Sequence, residues 1–458
     1  MRYWPAVVLV VAGTHTPESV AAQAPAIAIR NVTLLTGGTV APMSHATIVV
    51  QGRTIVALGP TKTVRIPSGA RVIDGSGKYL IPGLIDTHVH IAWMVGTPAM
   101  DTQVALELAS GITGHRDAGG VGHERELVAF RSRIDAGDVL APRLYVTGSG
   151  SSQNVVRYQA DGVADLIRKL AVVGVNGIKL RNTTAVQADT VIAAARAAGL
   201  PAFGHTYGGG GGVPPGDFTL RAIDDGAAGV MHVSGIGPAG QLVSHTIAAT
   251  GWQRQWLVSL YLRWTDASAA EEERLLQRMI GTHTWLEPNF TADAFLLHDE
   301  WYRGRPELRF IAGSYDSLRM GFPEFRGGDL ALAREGWDRM QCFVRRFQDA
   351  GGLVLAGTDM LPWPGGIHEE LRLLVLAGLS QMEALQVATR NAAQALGWGA
   401  RTGTIAVGMD ADLLLLDADP LLDITNTTRI RAVVRAGHLL DRTALDSLLS
   451  VAAVGRDR

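Results

Sequence analysis

Ionisable side chains recur in this sequence at the points where apolar, strand-like runs end. They are His88, His90, Lys179, His205, His232 and Asp359. The first two histidines are two residues apart, and alternation along a strand directs both side chains to one face, where they can bind one ion. Burying such groups without partners costs roughly 2–7 kcal/mol each, a penalty that a bound metal removes. The pattern therefore predicts a metal centre.

The strand-like runs alternate with helical patterns, which is typical of repeated βα units. Eight runs qualify, the number that a closed barrel requires. They begin at Gly83, Ile112, Arg143, Gly177, Pro201, Ala228, Thr284 and Leu353. We therefore predict an α/β chain with a (β/α)₈ TIM barrel, in which the carboxyl ends of the strands meet at one face and bring the ionisable residues together.

Segments around these runs carry signals of their own. Ser380 and Glu383 form a capping-box pattern that predicts the start of a helix, which ends near Gly397. The Gly-rich stretch 208–217 predicts a flexible loop. Residues 293–347 predict a helical insertion at the mouth of the barrel, where such folds place variable segments.

Short β-rich segments flank the barrel region on both sides. Residues 27–82 alternate β-branched and polar residues between Gly-rich breaks, and residues 399–445 return to the same pattern. Because the termini of a domain often lie close together, we expect both segments to form one small β-sandwich domain. The barrel itself is predicted to span residues 83–398.

The first residues of the chain are typical of a secretory signal peptide. Arg2 precedes a short apolar run over residues 3–13, and a stretch of small residues predicts a cleavage site after Ala22. We therefore predict that residues 1–22 are removed on export to the periplasm or the cell exterior. The apolar run is shorter than the roughly 20 residues that span a bilayer, so no stable membrane insertion is expected.

Composition excludes other classes of protein. The chain has 458 residues, of which 47% are hydrophobic and 18% charged, and its net charge is -2. Such a chain buries a large core and offers no basic surface for nucleic acid. The single Cys342 rules out an internal disulfide. A homo-oligomer is compatible with a barrel of this size.

In order along the chain, the motifs PGLIDTHVH, GIKL, GHTYG, VMHVSG and GTD are similar to those of the amidohydrolase superfamily of metal-dependent hydrolases. GTIAVGMDADLLLLD resembles that family's usual return to the β module. The resemblance covers roughly residues 27–440. RDAGG at residues 116–120, and Tyr207 two residues after His205, are similar to the branch that contains imidazolonepropionases and Xaa-Pro dipeptidases.

The resemblance implies a centre of two divalent metal ions, and zinc is the first expectation for nitrogen-rich ligands. His88, His90 and Asp359 would bind the more buried ion. His205 and His232 would bind the second ion.

The resemblance also implies three chemical roles. Lys179 would react with carbon dioxide to form a carbamate that bridges both ions. Metal-activated hydroxide would attack the substrate, and Asp359 would pass its proton to the leaving amine. Tyr207 would contact the substrate and help to polarise its carbonyl group.

The leading interpretation is hydrolysis of an amide bond in a small substrate, such as a dipeptide or an N-acyl amino acid. Lys179 favours it, because a carbamate there supplies a bridging ligand. The alternative is a cyclic amide or amidine hydrolase of the imidazolonepropionase type, with a single metal and an uninvolved lysine. A non-enzymatic binding barrel is the third reading, since fold does not dictate activity, but a complete ligand set argues against it.

Other residues near the predicted centre have alternative roles. Arg181 and Arg116 are candidate anchors for a substrate carboxylate, and both are equally compatible with structural salt bridges. His368 opens a helix, where it either serves the helix start or contacts substrate. Asp86 and Asp117 are interpreted as structural.

Overall fold

The computed structural model describes residues 25–38, 40–119, 122–151, 160–181, 183–206, 215–238, 252–306, 310, 325, 327–359 and 365–454. The signal-peptide prediction for residues 1–22, and Tyr207, lie outside these residues. Within them the chain is a mixed α/β structure, as predicted. No helix in this part of the chain combines the length and apolar character that crossing a membrane requires.

The strands fall at both chain ends and between the helices. They are β1 (Ile27–Leu34), β2 (Met43–Gln51), β3 (Thr54–Pro60), β4 (Arg71–Asp74), β5 (Tyr79–Pro82), β6 (Leu84–Val89), β7 (Ile112–Asp117), β8 (Arg143–Tyr145), β9 (Thr147–Ser151), β10 (Gly177–Arg181), β11 (Ala202–Gly204), β12 (Gly229–Met231), β13 (Trp285–Glu287), β14 (Leu413–Leu416), β15 (Ile430–Arg435) and β16 (His438–Asp441).

Strands from both chain ends combine in one eight-stranded sheet, in the order β16-β15-β14-β5-β1-β2-β3, with β4 paired to β1. The junction is β5, which pairs with β1 and, antiparallel, with β14, where Leu80 faces Leu415. Apolar side chains such as Ile29, Ile48 and Leu415 are buried in one cluster. By its pairing the predicted sandwich is a single continuous sheet, because β5 joins the two halves edge to edge.

The strands between these ends pair in parallel and belong to two sheets, β6-β7-β8 and β9-β10-β11-β12-β13. β8 and β9 are parts of one stretch interrupted at Val146, so this stretch pairs with β7 on one side and with β10 on the other. Seven of the eight predicted strand runs contain strands. The eighth run, from Leu353, makes a single parallel bridge between Val354 and Leu286.

The eighth run nevertheless lies between β13 and β6. The backbone N–H of Leu355 donates to the carbonyl of Leu286, and that of Thr87 donates to the carbonyl of Ala356, each at 2.9 Å. The run then leaves strand geometry, because Asp359 has a φ of 48°. This backbone turn explains why the last run is not a regular strand.

Helices accompany most of the parallel strands. They are α1 (Pro98–Ala109), α2 (Glu124–Ala136), α3 (Ala160–Val173), α4 (Ala185–Ala197), α5 (Pro215–Asp224), α6 (Trp252–Thr265), α7 (Ala269–Gly281), α8 (Phe290–Leu297), α9 (Gly327–Asp349), α10 (Gly366–Leu376), α11 (Gln381–Gln386), α12 (Ala392–Ala395) and α13 (Arg442–Val454).

The helices test three of the sequence predictions. The capping box of Ser380 and Glu383 is confirmed at the start of α11. The predicted helical insertion contains most of α8 and of α9. The Gly-rich loop is shorter than predicted, because α5 already begins at Pro215, a residue whose fixed φ suits the first turn of a helix. Residues 208–214 of that stretch lie outside the described residues.

Buried ion pairs connect the terminal sheet to the amino end of the parallel strands. The guanidinium of Arg143, the first residue of β8, lies 2.5 Å from Oδ2 of Asp410 and 3.3 Å from Oδ2 of Asp412. Arg435 donates to Oδ1 of Asp412 at 3.0 Å. Each carboxylate therefore faces a guanidinium, which offsets the cost of burying its charge.

Candidate metal centre

One carboxylate stands among imidazoles from different strands at the carboxyl end of the parallel sheets. Oδ1 of Asp359 lies 2.8 Å from Nε2 of His90 and 3.1 Å from Nε2 of His88. Its Oδ2 lies 3.4 Å from Nε2 of His232. His88, His90 and Asp359 offer one ligand atom each within 4.8 Å of one another. Such a cluster of nitrogen and oxygen atoms fits a divalent metal ion.

Lys179 and His205 complete the set that the sequence predicted. Nζ of the buried Lys179 lies 2.9 Å from Nε2 of His88. The ring centroid of His205 lies 4.8 Å from that of His232, which lies 5.2 Å from that of His88. The structure therefore brings all six predicted ligands into one cluster.

The backbone at two of these residues adopts a conformation that side chains rarely take. His232 has a φ of 59° and Asp359 a φ of 48°. Such conformations cost about 1–3 kcal/mol each and cluster at functional sites. Gly357 permits the turn before Asp359, because a Cβ on it would lie 2.7 Å from the Cβ of His88 and from Cδ of Glu287. No other residue fits there without displacing His88.

Burial sets the protonation of the nitrogen ligands. It lowers the pKa of His90 to about 4 and that of His232 to about 3, and it lowers the pKa of His205 well below the ordinary value. These three rings are therefore neutral near pH 7, the form that binds metal. Burial also lowers the pKa of Lys179 to about 8.

The charges around His88 favour a cation at this position. Burial alone would lower the pKa of His88, but Asp359 and Glu287 outweigh burial and the Lys179 ammonium, so the pKa is raised. Burial would likewise raise the pKa of Asp359, but His88 and His232 hold it well below the ordinary value. A proton or a metal ion supplies the positive charge that two carboxylates favour there.

The predicted structural carboxylates hold the backbone around the cluster. Oδ1 of Asp86 accepts from the N–H of His88 at 3.0 Å and from that of Thr358 at 3.1 Å. Asp117 accepts from the N–H groups of Ala92 and Gly119, each at 3.0 Å. Both carboxylates therefore tie neighbouring strand ends together.

Sequence reasoning missed Glu287, the last residue of β13. Its Oε1 lies 2.6 Å from Nδ1 of His88, and its Oε2 accepts from the Thr87 hydroxyl and from the Arg116 guanidinium, each at 2.5 Å. Burial would raise the pKa of Glu287, but Arg116 and His88 lower it to about 2. The available signal was an ionisable residue at the end of an apolar run, as at the six predicted ligands.

One candidate for substrate contact, Arg181, lies next to the cluster. The indole of Trp93 stacks flat on the His90 ring, with centroids 4.2 Å apart, and the Arg181 guanidinium lies 5.3 Å from the Trp93 ring centroid. No carboxylate among the described residues forms a salt bridge with Arg181. Arg181 is therefore a half-buried cation next to the cluster.

Two other candidates for substrate contact, Arg116 and His368, pair with other residues of the protein. Arg116 is fully buried and pairs with Glu287, so it does not anchor a substrate carboxylate. Nδ1 of His368 lies 2.9 Å from Oγ1 of Thr427, and burial lowers the pKa of His368 to about 4. This contact favours a structural role for His368 over substrate contact.

Known proteins resemble this chain in sequence and in fold. Residues 343–440 match the model of the amidohydrolase family. An imidazolonepropionase of Herpetosiphon aurantiacus is 21% identical over 88% of this chain and 92% of its own length. Another, of Deinococcus deserti, is 39% identical over 20% of this chain, a match that spans only 25% of that relative. The carboxyl-terminal part of the chain is therefore similar to the amidohydrolase family.

A solved Xaa-Pro dipeptidase with bound methionine superposes on this chain with a TM-score of 0.65 and 19% identity, covering 91% of this chain and all of the dipeptidase. At this identity the likeness concerns the fold. The shared fold covers 91% of this chain.

Proposed function

We propose that this protein hydrolyses an amide bond in a small substrate that carries a carboxylate, such as a dipeptide or an N-acyl amino acid. One observation carries the proposal: the imidazoles of His88 and His232 lie against the carboxylate of Asp359. The Lys179 amine joins this cluster through Nε2 of His88, 2.9 Å away. The names of the relatives support cleavage of carbon–nitrogen bonds.

We infer that the parallel strands close into a (β/α)₈ barrel spanning residues 83–398. Two features support closure: residues 143–151 take part in both parallel sheets, and the run from Leu353 hydrogen bonds to β13 and to β6. Residues 27–82 and 399–445 would form the accompanying β domain. Removal of residues 1–22 on export also remains a proposal from the sequence.

The ligand set fits two divalent ions, with zinc as the first expectation. His88, His90 and Asp359 would hold one ion, and His205 and His232 the other. Two such ions acidify a bound water and polarise a carbonyl group. Their number and identity are open to direct measurement.

Lys179 would join the two halves of this ligand set as a carbamate. Its neutral Nζ would attack the carbon of carbon dioxide: the N–C bond forms, one C=O π bond opens, and its electron pair moves to oxygen. One N–H proton passes to water, which leaves an anionic, carboxylate-like group. A pKa lowered to about 8 supports this step, because a larger fraction of the amine is neutral near pH 7 than at an exposed lysine.

Asp359 would carry the proton of the reaction. Its oxygens lie among three imidazoles and are well placed to accept a proton from the attacking water and deliver it to the departing nitrogen. Tyr207, two residues after His205, remains the sequence-based candidate for polarising the carbonyl.

Arg181 would bind the substrate carboxylate. Its guanidinium follows Lys179 by two residues on β10 and lies over Trp93, whose side chain is 53% exposed and stacks on His90. A guanidinium recognises a carboxylate through paired hydrogen bonds, and the indole adds an apolar wall. This arrangement favours free amino acids as the leaving group or as the acylated part.

The second candidate is a cyclic amide or amidine hydrolase with a single metal. The Herpetosiphon imidazolonepropionase favours it, because the match covers most of both chains. In that case Lys179 would stay unmodified, and His205 would not be a ligand of a second ion.

One experiment separates these candidates. The purified full chain, supplied with Zn²⁺ or Mn²⁺, is screened against dipeptides, N-acyl amino acids and a cyclic imidazolone, with release of amine or ring opening as the readout. Its metal content is measured in parallel. We expect two ions per chain and turnover of acyclic amides. One ion with turnover of the cyclic substrate alone would establish the second candidate instead.

A further inference from the structure

Glu287 occupies a position from which it can control His88 without touching substrate. It is fully buried, and each of its oxygens has its own partners. Oε1 faces Nδ1 of His88 at 2.6 Å, while Oε2 accepts from Thr87 and Arg116. Nδ1 must therefore carry the ring proton of a neutral His88, which leaves a lone pair on Nε2.

Nε2 is the atom that faces the cluster. It lies 2.9 Å from Nζ of Lys179 and 3.1 Å from Oδ1 of Asp359. A metal ligand of this type binds only through an unprotonated ring nitrogen. The contact at Nδ1 therefore decides whether Nε2 is available.

Arg116 in turn holds the carboxylate of Glu287 in place. Its guanidinium lies 4.5 Å from the ring centroid of Phe203 and 4.9 Å from that of Trp285, and its Nε donates to the carbonyl of Thr87 at 2.6 Å. The guanidinium is held between two aromatic rings and the β6 backbone, and among the described residues its carboxylate partner is Glu287.

We propose that Glu287 is a positioning residue that fixes the tautomer and orientation of His88 for metal binding, and that Arg116 holds Glu287 in place. The inference rests on the proposed function insofar as His88 is a metal ligand. Outer partners of this kind typically change metal affinity by about 10–100-fold.

A second buried pair in the same molecule provides a matched control. Oε2 of Glu107, on α1, lies 2.6 Å from Nδ1 of His115, on β7, and both side chains are buried. The other nitrogen of His115 is buried without a hydrogen-bond partner in the described part of the chain. The two pairs share their distance and burial, and only one faces the predicted ligands.

The test variant is Glu287→Gln. Because Arg116 donates to the outer oxygen position, the amide oxygen turns toward Arg116 and the NH₂ group toward His88. Nδ1 must then accept a hydrogen bond, so the ring proton moves to Nε2, where it blocks the metal. We expect the affinity for Zn²⁺, measured by chelator competition on the full chain, to fall about 10–100-fold.

Glu107→Gln should leave the Zn²⁺ affinity within about twofold of wild type, since fixing a tautomer there affects no ligand. The double variant R116M/E287Q should recover affinity relative to E287Q. Without Arg116, the amide oxygen is free to face Nδ1 while the NH₂ group donates to the hydroxyl oxygen of Thr87. The Thr87 hydroxyl proton then turns to the carbonyl of Ala356, 2.9 Å away. Equal affinities of wild type and E287Q, or a double variant as weak as E287Q, would overturn the inference.

Thermal unfolding of each metal-free variant checks that it folds. If the unpaired Arg116 prevents E287Q from folding, R116M/E287L removes both charges together and takes its place, with the same 10–100-fold loss expected. Failure of the proposed function is distinguishable, because then the wild-type chain itself would not bind Zn²⁺ at these residues.

Discussion

Charged clusters lie at both ends of the parallel strands, but their charges are matched in different ways. At the amino end, Arg143 and Arg435 face Asp410 and Asp412, so guanidinium and carboxylate compensate each other. At the carboxyl end, Asp359 alone faces three imidazoles, and burial keeps His90 and His232 neutral. The buried charges at the amino end thus neutralise one another in pairs, whereas the charge of Asp359 at the carboxyl end is not matched in this way.

This difference separates stability from chemistry. Matched buried pairs hold two parts of a fold together, because removing one partner leaves an uncompensated charge. A set of neutral nitrogen donors around one carboxylate contributes little to the fold, but it is the form in which side chains bind metal. Single substitutions at the two ends should therefore have opposite consequences.

The largest effect is expected for Asp359→Asn. The variant loses an anionic ligand and the proposed proton carrier, so kcat/KM should fall at least about 1000-fold, or about 4 kcal/mol of barrier. The thermal midpoint of the metal-free chain should change by only a few degrees. Kinetics and thermal unfolding on the same preparation check both statements. Activity above one tenth of wild type would remove Asp359 from the mechanism.

The opposite outcome is expected for Asp412→Asn at the amino end. Loss of the carboxylate leaves Arg435 unpaired in the interior, which should cost about 3–5 kcal/mol of unfolding free energy at pH 7. Zn²⁺ affinity and kcat should stay near wild type at temperatures where the variant is folded. A loss of metal binding in the folded variant would contradict the separation of the two ends.

The same pair predicts a pH dependence. Burial would raise the pKa of Asp412, but Arg435 and Arg143 outweigh it, so the folded-state pKa is lowered. A lowered folded-state pKa gives stability that is present above the unfolded pKa of about 3.9 and is lost as the pH falls through the folded value. The stability difference between wild type and Asp412→Asn should therefore be full at pH 7 and shrink below about pH 4, as measured by denaturant unfolding.

The clustering of the six residues was predictable because each lies at or near the end of an apolar run, and the carboxyl ends of parallel strands lie at the same edge of a sheet. The same signal is present at Glu287, but the sequence does not show that its partners are Thr87 and Arg116, which are 200 and 171 residues away. Nor could it pair Arg143 with Asp410, 267 residues apart. Strand ends are local signals, whereas side-chain pairing depends on how distant segments meet.

The fold could be predicted from the sequence to about the same extent as the candidate site. Alternation of strand-like and helical runs gave the mixed α/β architecture, and a capping box gave the start of α11. The two chain ends were predicted to form one β domain, but their edge-to-edge pairing through β5 was not predicted, because it leaves no mark in the hydrophobic pattern of β5. The irregular last run was also missed, since the turn at Asp359 depends on close packing of Gly357 against His88.

A carbamate on Lys179 would add a second anionic group beside Asp359 at the carboxyl end. Removal of metal by a chelator should abolish activity, and recovery on addition of Zn²⁺ should be faster with bicarbonate present, because the carbamate must form again. Lys179→Ala should reduce kcat/KM at least about 100-fold, with partial rescue by a short carboxylic acid that fills the vacated space.

Lys169→Ala is the control, since Lys169 is an exposed helical lysine paired with Asp165. It should match wild type in activity and in bicarbonate dependence. Reactivation that proceeds equally without bicarbonate, together with no rescue of Lys179→Ala, would favour the single-metal alternative.

The smallest effect is expected for Arg181→Met, and Arg143→Met is its counterpart at the other end. Arg181 has a guanidinium over Trp93 and no carboxylate partner in the described part of the chain, so it is available for a substrate. A charge-assisted hydrogen bond contributes about 1.5–3 kcal/mol, so KM for a substrate with a free carboxylate should rise about 10–100-fold. The same substrate capped as a carboxamide should be turned over equally by wild type and variant.

Arg143→Met should show the reverse, a loss of stability with KM unchanged, because its guanidinium already pairs with Asp410 and Asp412. The same substitution would then have different effects at the two arginines, because the protein supplies the carboxylate that binds Arg143, whereas the substrate supplies the one that binds Arg181. An unchanged KM of Arg181→Met for both substrate forms would show that the carboxylate is recognised elsewhere, and the carboxyl end would keep its metal ligands but lose its proposed substrate anchor.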